Sequence, residues 1–405
     1  MFLQFFIWGC WFVTLGTFLA ANFQASGAQT GLAFSTQSWG AIIAPFIIGL
    51  IADRYFNAER ILAVLHLVGA LLMYQMFGAQ DFAQFYPYVL GYMIAYMPTL
   101  ALVNSISFRQ LTDPSRQFSF VRVWGTIGWI VAGLVISLVF HWDSQEAVAS
   151  GALRNTFLMG AVMSLLLAIF SLTLPATPPT VSKDGFSLRA ALGLDALKLL
   201  RDRNFLVFFV SSVLICIPLA FYYQNASPFL TEIGTTNATG KLTIGQMSEV
   251  GFMLLLPVFL LRFGIKKTLL LGMLAWAVRY ALFAYGGHDN ISVLLIVGIA
   301  LHGICYDFFF VSGQIYTDSK AGDHYRSAAQ GMITLATYGV GMLVGFSVAG
   351  ALTDRLNVNG QHDWFQIWIY PAAFAVVVMV LFALLFRNEA ITYEARRSLE
   401  QGSKT

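Results

Sequence analysis

Apolar residues run through this chain in blocks of about 20, each closed by a short polar or charged break, and the blocks recur from one end to the other. They cover about 3–23, 34–52, 61–77, 86–108, 121–140, 156–174, 205–229, 242–261, 268–285, 291–315, 328–352 and 364–386. A helix needs about 20 residues to cross roughly 30 Å of hydrocarbon, so the pattern predicts twelve spanning helices. Barrel strands would leave shorter segments of alternating polarity. Helices also satisfy their backbone groups without help from water. The expected fold is therefore an all-α integral membrane protein.

The longest polar break divides the pattern into two sets of six. The expected organisation is a first six-helix bundle at 1–174, a cytoplasmic linker at 175–204, a second bundle at 205–387 and a cytoplasmic tail at 388–405. In the linker, SLRAALGLDALKLLRDRN puts Leu188, Leu192 and Leu199 on one face with Arg189, Lys198, Arg201 and Arg203 around it, the pattern of a helix lying on the membrane surface. In the eleventh block Gly341, Gly345 and Ala349 recur every four residues, a seam for close helix packing.

Charge fixes the orientation. With the N-terminus inside, 19 of the 23 lysines and arginines fall on the inner side; Arg154, Lys241 and Arg355 fall outside and Arg279 lies within a block. This asymmetry predicts that both termini are cytoplasmic. The net charge of +3 then reports topology and not a nucleic-acid surface. Cys10, Cys216 and Cys305 sit in separate apolar blocks without paired spacing, so neither a disulfide framework nor a metal site is expected. The first block lacks the basic start of a secretory signal and reads as a spanning helix. Because it begins almost at Met1, a few residues are expected to precede it in a longer chain.

Against this apolar background, ionisable residues stand out, since each costs roughly 2.5–3.5 kcal/mol at the centre of a span and so marks a protein-lined or watery interior. Arg122, Thr126 and Trp129 follow at i, i+4 and i+7 on the fifth helix, offering a cation, a hydroxyl and a flat aromatic surface on one face. An arginine this near the inner end also fits simple snorkelling to the phosphate layer. Gln246 and Glu249 share a face of the eighth helix, where Glu249 serves either function or a structural pair with Arg279. On the tenth, His302 and Tyr306 align, while Gly303, Asp307, Phe310 and Gln314 form a second stripe about 100° away. Tyr96, Pro98, Asn104 and Ser105 on the fourth helix and Pro218, Tyr222, Tyr223, Gln224 and Asn225 on the seventh are further polar or helix-interrupting positions. No nucleophile with a base, no metal-ligand cluster and no phosphate-binding glycine loop occurs, so an enzyme is not expected. Deep acids in a twelve-helix chain point to a secondary transporter.

Two sets of motifs carry a resemblance. GLIADR, residues 49–54, is similar to the loop motif of the major facilitator superfamily, with YFNAER where a glycine and a basic pair would follow. LQFFIWGCWFVTLGTF, YMPTLALVNSISF, RVWGTIGW, LGLDAL, RFGIKK, GICYDFF and SAAQGM together resemble the nucleoside:proton symporter family over essentially the whole chain. The resemblance implies a major facilitator fold, with two six-helix bundles around a central cavity, in the inner membrane. It also implies nucleoside import driven by protons, with no cofactor beyond the coupling ion. A monomer in the lipid bilayer, without nucleic acid, is the matching expectation.

Carried over to this chain, the substrate positions are Arg122, Thr126, Trp129, Tyr223, Gln246, Glu249, His302 and Tyr306. His302 stands where the family has a tyrosine, and Ala220 and Tyr223 where well-known members have amides. Asp307 and Glu249 are the proton-coupling candidates, and Gly49, Asp53 and Arg54 the conformational loop motif. A carrier of another polar solute such as a sugar, or a transporter-like membrane sensor, are the competing readings.

Overall fold

The computed structural model describes residues 1–47, 56–111, 114–178, 194–288 and 291–389. Ten helices among them are long and apolar enough to cross a membrane. Two features account for the difference from twelve apolar blocks. The block at 34–52 leaves the described residues after Ile47, and those at 242–261 and 268–285 belong to one hydrogen-bonded run. That run, Ala238–His288, breaks at Gly264, whose φ of 73° and ψ of 172° are open to glycine and strained for other residues. The basic sequence RFGIKK surrounds this break, so one element supplies two apolar stretches with charge at their joint.

The chain forms two compact units. The first comprises Met1–Leu188, Tyr222–Thr243 and Phe346–Arg355. Its helices are α1 (Phe2–Phe12), α2 (Leu15–Phe23), α3 (Gly27–Ile47), α4 (Ala58–Gly78), α5 (Phe82–Gln110), α6 (Pro114–Leu134), α7 (Gln145–Ala149) and α8 (Asn155–Ser171). Helix α4 packs on α5 and α8, α1 on α6 and α8, and α3 on α5. The core is aromatic: Trp11 is fully buried and meets Tyr92 edge-on at 5.5 Å. Side-chain caps set the starts of elements, as where Asp81 accepts from the Gln84 N–H at the head of α5.

The second unit comprises Arg189–Phe221, Ile244–Gly345 and Leu356–Thr405. It holds α11 (Ser292–Ala300), α12 (His302–Tyr306), α13 (Ser312–Thr334) and α15 (Trp364–Leu385). Helices α9 (Arg203–Glu232), α10 (Ala238–His288) and α14 (Met342–Arg355) contribute residues to both units. Buried Trp276 packs on Phe309 at 5.6 Å, and buried Trp368 stacks on Tyr280 at the same distance. The glycine seam of the eleventh block is used as expected: a Cβ on Gly345 would lie 2.6 Å from Cβ of Ala220, so that contact admits only glycine. Lys320 bridges Asp202 at 3.1 Å and Glu389 at 2.8 Å, joining the start of α9 to the segment after α15.

Three local features depart from the periodic reading. The linker's described residues include a 3-10 helix, Leu194–Arg201, and most of its predicted amphipathic face, with Leu188, Arg189 and Leu192, lies outside the described residues. The loop motif residues Gly49, Asp53 and Arg54 lie outside them too. A small hairpin pairs Asn357–Val358 with Gln361–His362 through an Asn359–Gly360 turn in which both residues have positive φ, as such a two-residue turn requires. Finally, π-helical turns interrupt the ladder at Val135–Val139, Asp307–Val311 and Leu335–Gly341.

Candidate functional site

In the first unit the predicted stripe of α6 meets an aromatic wall. The guanidinium of Arg122 sits over the ring of Phe5, 4.2 Å from its centroid, a cation–π contact and not only a reach toward the membrane surface. Trp129 lies edge-on to Trp8 at 5.5 Å and to Phe12 at 6.3 Å. Tyr223 of α9 meets the same Phe12 at 5.7 Å. Trp129 and Tyr223, separated by 94 positions in sequence, therefore share one aromatic neighbour. Thr126 is buried on the same helix. Close approach of α1 and α6 makes this wall possible, because a Cβ on Gly9 would fall 2.9 Å from the Trp129 ring.

Behind the wall lies a polar network that sequence reasoning overlooked. Gln4 donates to the Thr99 hydroxyl at 2.6 Å and its carbonyl oxygen meets His66 Nε2 at 2.8 Å. His66 Nδ1 lies 3.2 Å from the Ser164 hydroxyl, and the Tyr96 hydroxyl donates to the Gln4 backbone carbonyl at 2.5 Å. All five residues come from α1, α4, α5 and α8. Tyr96 also packs on Trp8 at 5.6 Å, so the network holds the aromatic wall from behind. A glutamine and a histidine inside apolar blocks were the available signal; such groups are tolerated in low dielectric when fully hydrogen-bonded.

The second unit gathers the charges. Glu249 of α10 and His302 of α12 approach to 4.0 Å, Oε2 to Nε2. Arg279, fully buried further along α10, has Nη1 3.0 Å from His302 Nδ1. A guanidinium only donates, so Nδ1 accepts and the imidazole hydrogen resides on Nε2, directed toward Glu249. Arg279 is thus joined to the site through His302. Gly303 seats α12 against α10: its N–H donates to the Ser248 hydroxyl at 3.0 Å, and a Cβ there would lie 2.6 Å from the Glu249 nitrogen. Gln246 lies one turn before Glu249 and is half-buried.

Tyr306 stacks obliquely near His302, ring centroids 5.8 Å apart, and its hydroxyl meets that of Tyr338 at 2.7 Å, a partner that sequence spacing gave no reason to select. Asp307 opens the π-helical turn Asp307–Val311. Phe310, on the same turn, packs on Tyr306 and Trp276. Both carboxyl oxygens of Asp307 are buried without a hydrogen-bond partner among the described residues. No group of three or more potential metal ligands occurs among those residues.

Comparison with known proteins agrees over the chain's length. A family model described as nucleoside H+ symporter matches residues 1–390. The transporter YegT of Escherichia coli (strain K12) is 45% identical over 398 residues, 96% of this chain and 92% of that protein. The xanthosine permease of the same organism is 35% identical, covering 95% and 94% of the two chains. The crystal structure of nucleoside transporter NupG superposes with a TM-score of 0.84 at 32% identity, over 96% of this chain and 97% of that one.

Proposed function

The chain belongs to the nucleoside H+ symporter family, and from that premise we propose that it imports nucleosides across the inner membrane by proton symport through alternating access. It is a multi-pass membrane transporter and not an enzyme. The finer reading is a major facilitator fold of twelve helices with bundles at 1–174 and 205–387 and both termini cytoplasmic. It is supported by the inward bias of lysine and arginine.

The observation that carries the mechanism is Asp307, whose carboxyl oxygens are buried and unpartnered in a π-helical turn. An unpaired carboxylate in such surroundings is costly, and binding a proton removes the charge. Asp307 is therefore the coupling acid in this reading. Glu249, 4.0 Å from His302, serves substrate and proton together. In the second unit Gln246, Glu249, His302 and Tyr306 supply directional hydrogen bonds for a sugar or base edge. In the first, Trp129 and Tyr223 supply aromatic surface for a flat ring, and Arg122 and Thr126 a cation and a hydroxyl. Arg279 is a positioning residue, holding His302 as a donor through Nε2. The name of the xanthosine permease brings purine nucleosides into the expected range alongside uridine.

The test is uptake of labelled uridine, adenosine and xanthosine into vesicles with an imposed pH gradient, competed by unlabelled nucleosides and by sugars. Gradient-driven accumulation that nucleosides compete and sugars leave unchanged is expected. Accumulation that sugars compete and nucleosides do not would reject the substrate class.

A further inference from the structure

Two carboxylates away from the site make the same kind of contact at two places in the first unit. Asp354, in the last turn of α14, accepts from the Gly27 N–H at 2.5 Å and from the Ala28 N–H at 2.8 Å, one oxygen for each. Asp143, in the turn after the π segment that extends α6, accepts from the Thr239 N–H at 2.9 Å and from the Ser137 hydroxyl at 2.8 Å. Gly27 and Ala28 begin α3; Thr239 is the second residue of α10. The first turn of a helix carries free N–H groups and partial positive charge, so an anion there is stabilising. Each acid thus comes from the end of one helix and caps the beginning of another.

The two contacts are reciprocal in sequence. Asp354, from the second half of the chain, caps a helix of the first half, while Asp143, from the first half, caps a helix of the second. Glycines bring the backbones together at both. A Cβ on Gly27 would lie 2.5 Å from the Gly350 carbonyl oxygen, and one on Gly350 the same distance from that of Gly27. A Cβ on Gly133 would lie 2.5 Å from the Thr243 methyl, and one on Gly240 2.8 Å from the Ser137 hydroxyl. The hydroxyls of Thr17 and Ser227 meet at 2.7 Å, and Asn225 donates to Thr353 at 3.2 Å. These contacts gather Tyr222–Thr243 and Phe346–Arg355 into one unit with Met1–Leu188.

We propose that Asp143 and Asp354 are a matched pair of helix-capping latches that hold these segments together on the outer side and release when substrate enters from outside. The assignment of the outer side rests on the orientation given under Proposed function. Because Asp354 is held by two backbone N–H groups and Asp143 by one with a hydroxyl, neither contact involves a basic residue. Each hold depends on the approach of the helix end and disappears when the segments part.

The reporter is Ser227→Cys, labelled by a membrane-impermeant maleimide on intact cells; the native Cys10, Cys216 and Cys305 are buried and give a low background. Asp143→Ala and Asp354→Ala are each expected to raise the labelling rate about three- to tenfold, with Asn variants between them and the parent. The double Ala variant should multiply the two effects, as separate latches require. Equal labelling rates in the parent and both Ala variants, with their melting temperatures in detergent intact, overturn the proposal, as does acceleration seen only in inside-out vesicles.

A second arm leaves both acids in place. Oxidising Thr17→Cys/Ser227→Cys should arrest transport and reductant should restore it, whereas full transport by the cross-linked protein rejects a required parting of these segments. The labelling arm uses no substrate, so it decides the latch even if the nucleoside assignment fails.

Discussion

The two groups of site residues are built from different materials. In the first unit, Trp129 and Tyr223 flank Phe12 within an aromatic wall, and Arg122 rests on the ring of Phe5. In the second, Glu249, Arg279, His302 and Asp307 lie on α10, α12 and the π turn, with a hydrogen bond from Arg279 orienting His302 toward Glu249. Aromatic surface binds a flat ring with little dependence on its protonation or that of its surroundings. Buried acids respond to protons, and one with unpartnered oxygens responds most. On the proposed function, recognition of the ring falls chiefly to the first group and coupling to the second, and each variant below separates the two.

The largest effect is expected from Asp307→Asn, which keeps the volume and removes the titratable group. Gradient-driven accumulation should fall at least about tenfold while exchange of labelled for unlabelled substrate persists. Loss of both activities together would place Asp307 in substrate binding, and unchanged accumulation would remove it from coupling. Next comes Arg279→Met. Leaving the buried Nδ1 acceptor of His302 unpaired costs about 1–3 kcal/mol, so a drop in melting temperature of a few degrees and a strong loss of uptake are expected. Arg279→Lys should restore part of the uptake if the residue acts by donating to His302 Nδ1, since lysine also donates but lacks the planar fork; equal failure of Lys and Met would point to shape alone.

Trp129→Ala should raise the transport KM about tenfold, in keeping with roughly 1–3 kcal/mol for a base stacked on an aromatic ring, and leave the proton-to-substrate ratio unchanged. A changed ratio, read from parallel pH and substrate fluxes, would break the division of labour between the groups. The smallest effect belongs to Tyr338→Phe, which deletes one hydroxyl–hydroxyl contact with Tyr306 worth about 1 kcal/mol. A few-fold rise in KM or less is expected in the same uptake assay, and a loss as large as that of Arg279→Met would make Tyr338 part of the coupling group.

Much of the candidate site was legible because charge is conspicuous in apolar sequence. Asp307, Glu249 and Arg122 could be picked out by cost alone. The aromatic wall was less legible: Trp8 and Phe12 lie in FFIWGCWF, where every second residue is a plausible packing group, and nothing local distinguishes the rings that meet Trp129. The π turn at Asp307 was not legible, because periodicity assumes a straight α-helix and nothing in the residues marks where an extra one enters a turn. Gln4 and His66 were visible as polar intruders, yet their partners Thr99 and Ser164 lie 95 and 98 positions away.

By itself the sequence determined that this is a helical membrane protein with its charges biased to one side, because hydrocarbon admits only long apolar helices and penalises buried charge wherever it falls. Those constraints act residue by residue and can be read in one dimension. Tertiary structure alone decided that Arg279 fixes the tautomer of His302, that Trp129 and Tyr223 share Phe12, and that Asp143 and Asp354 each cap a helix from the other half of the chain. Hydrogen bonds and ring contacts act over a few ångströms in space, and which helix ends and faces come that close is set only when all the helices have packed.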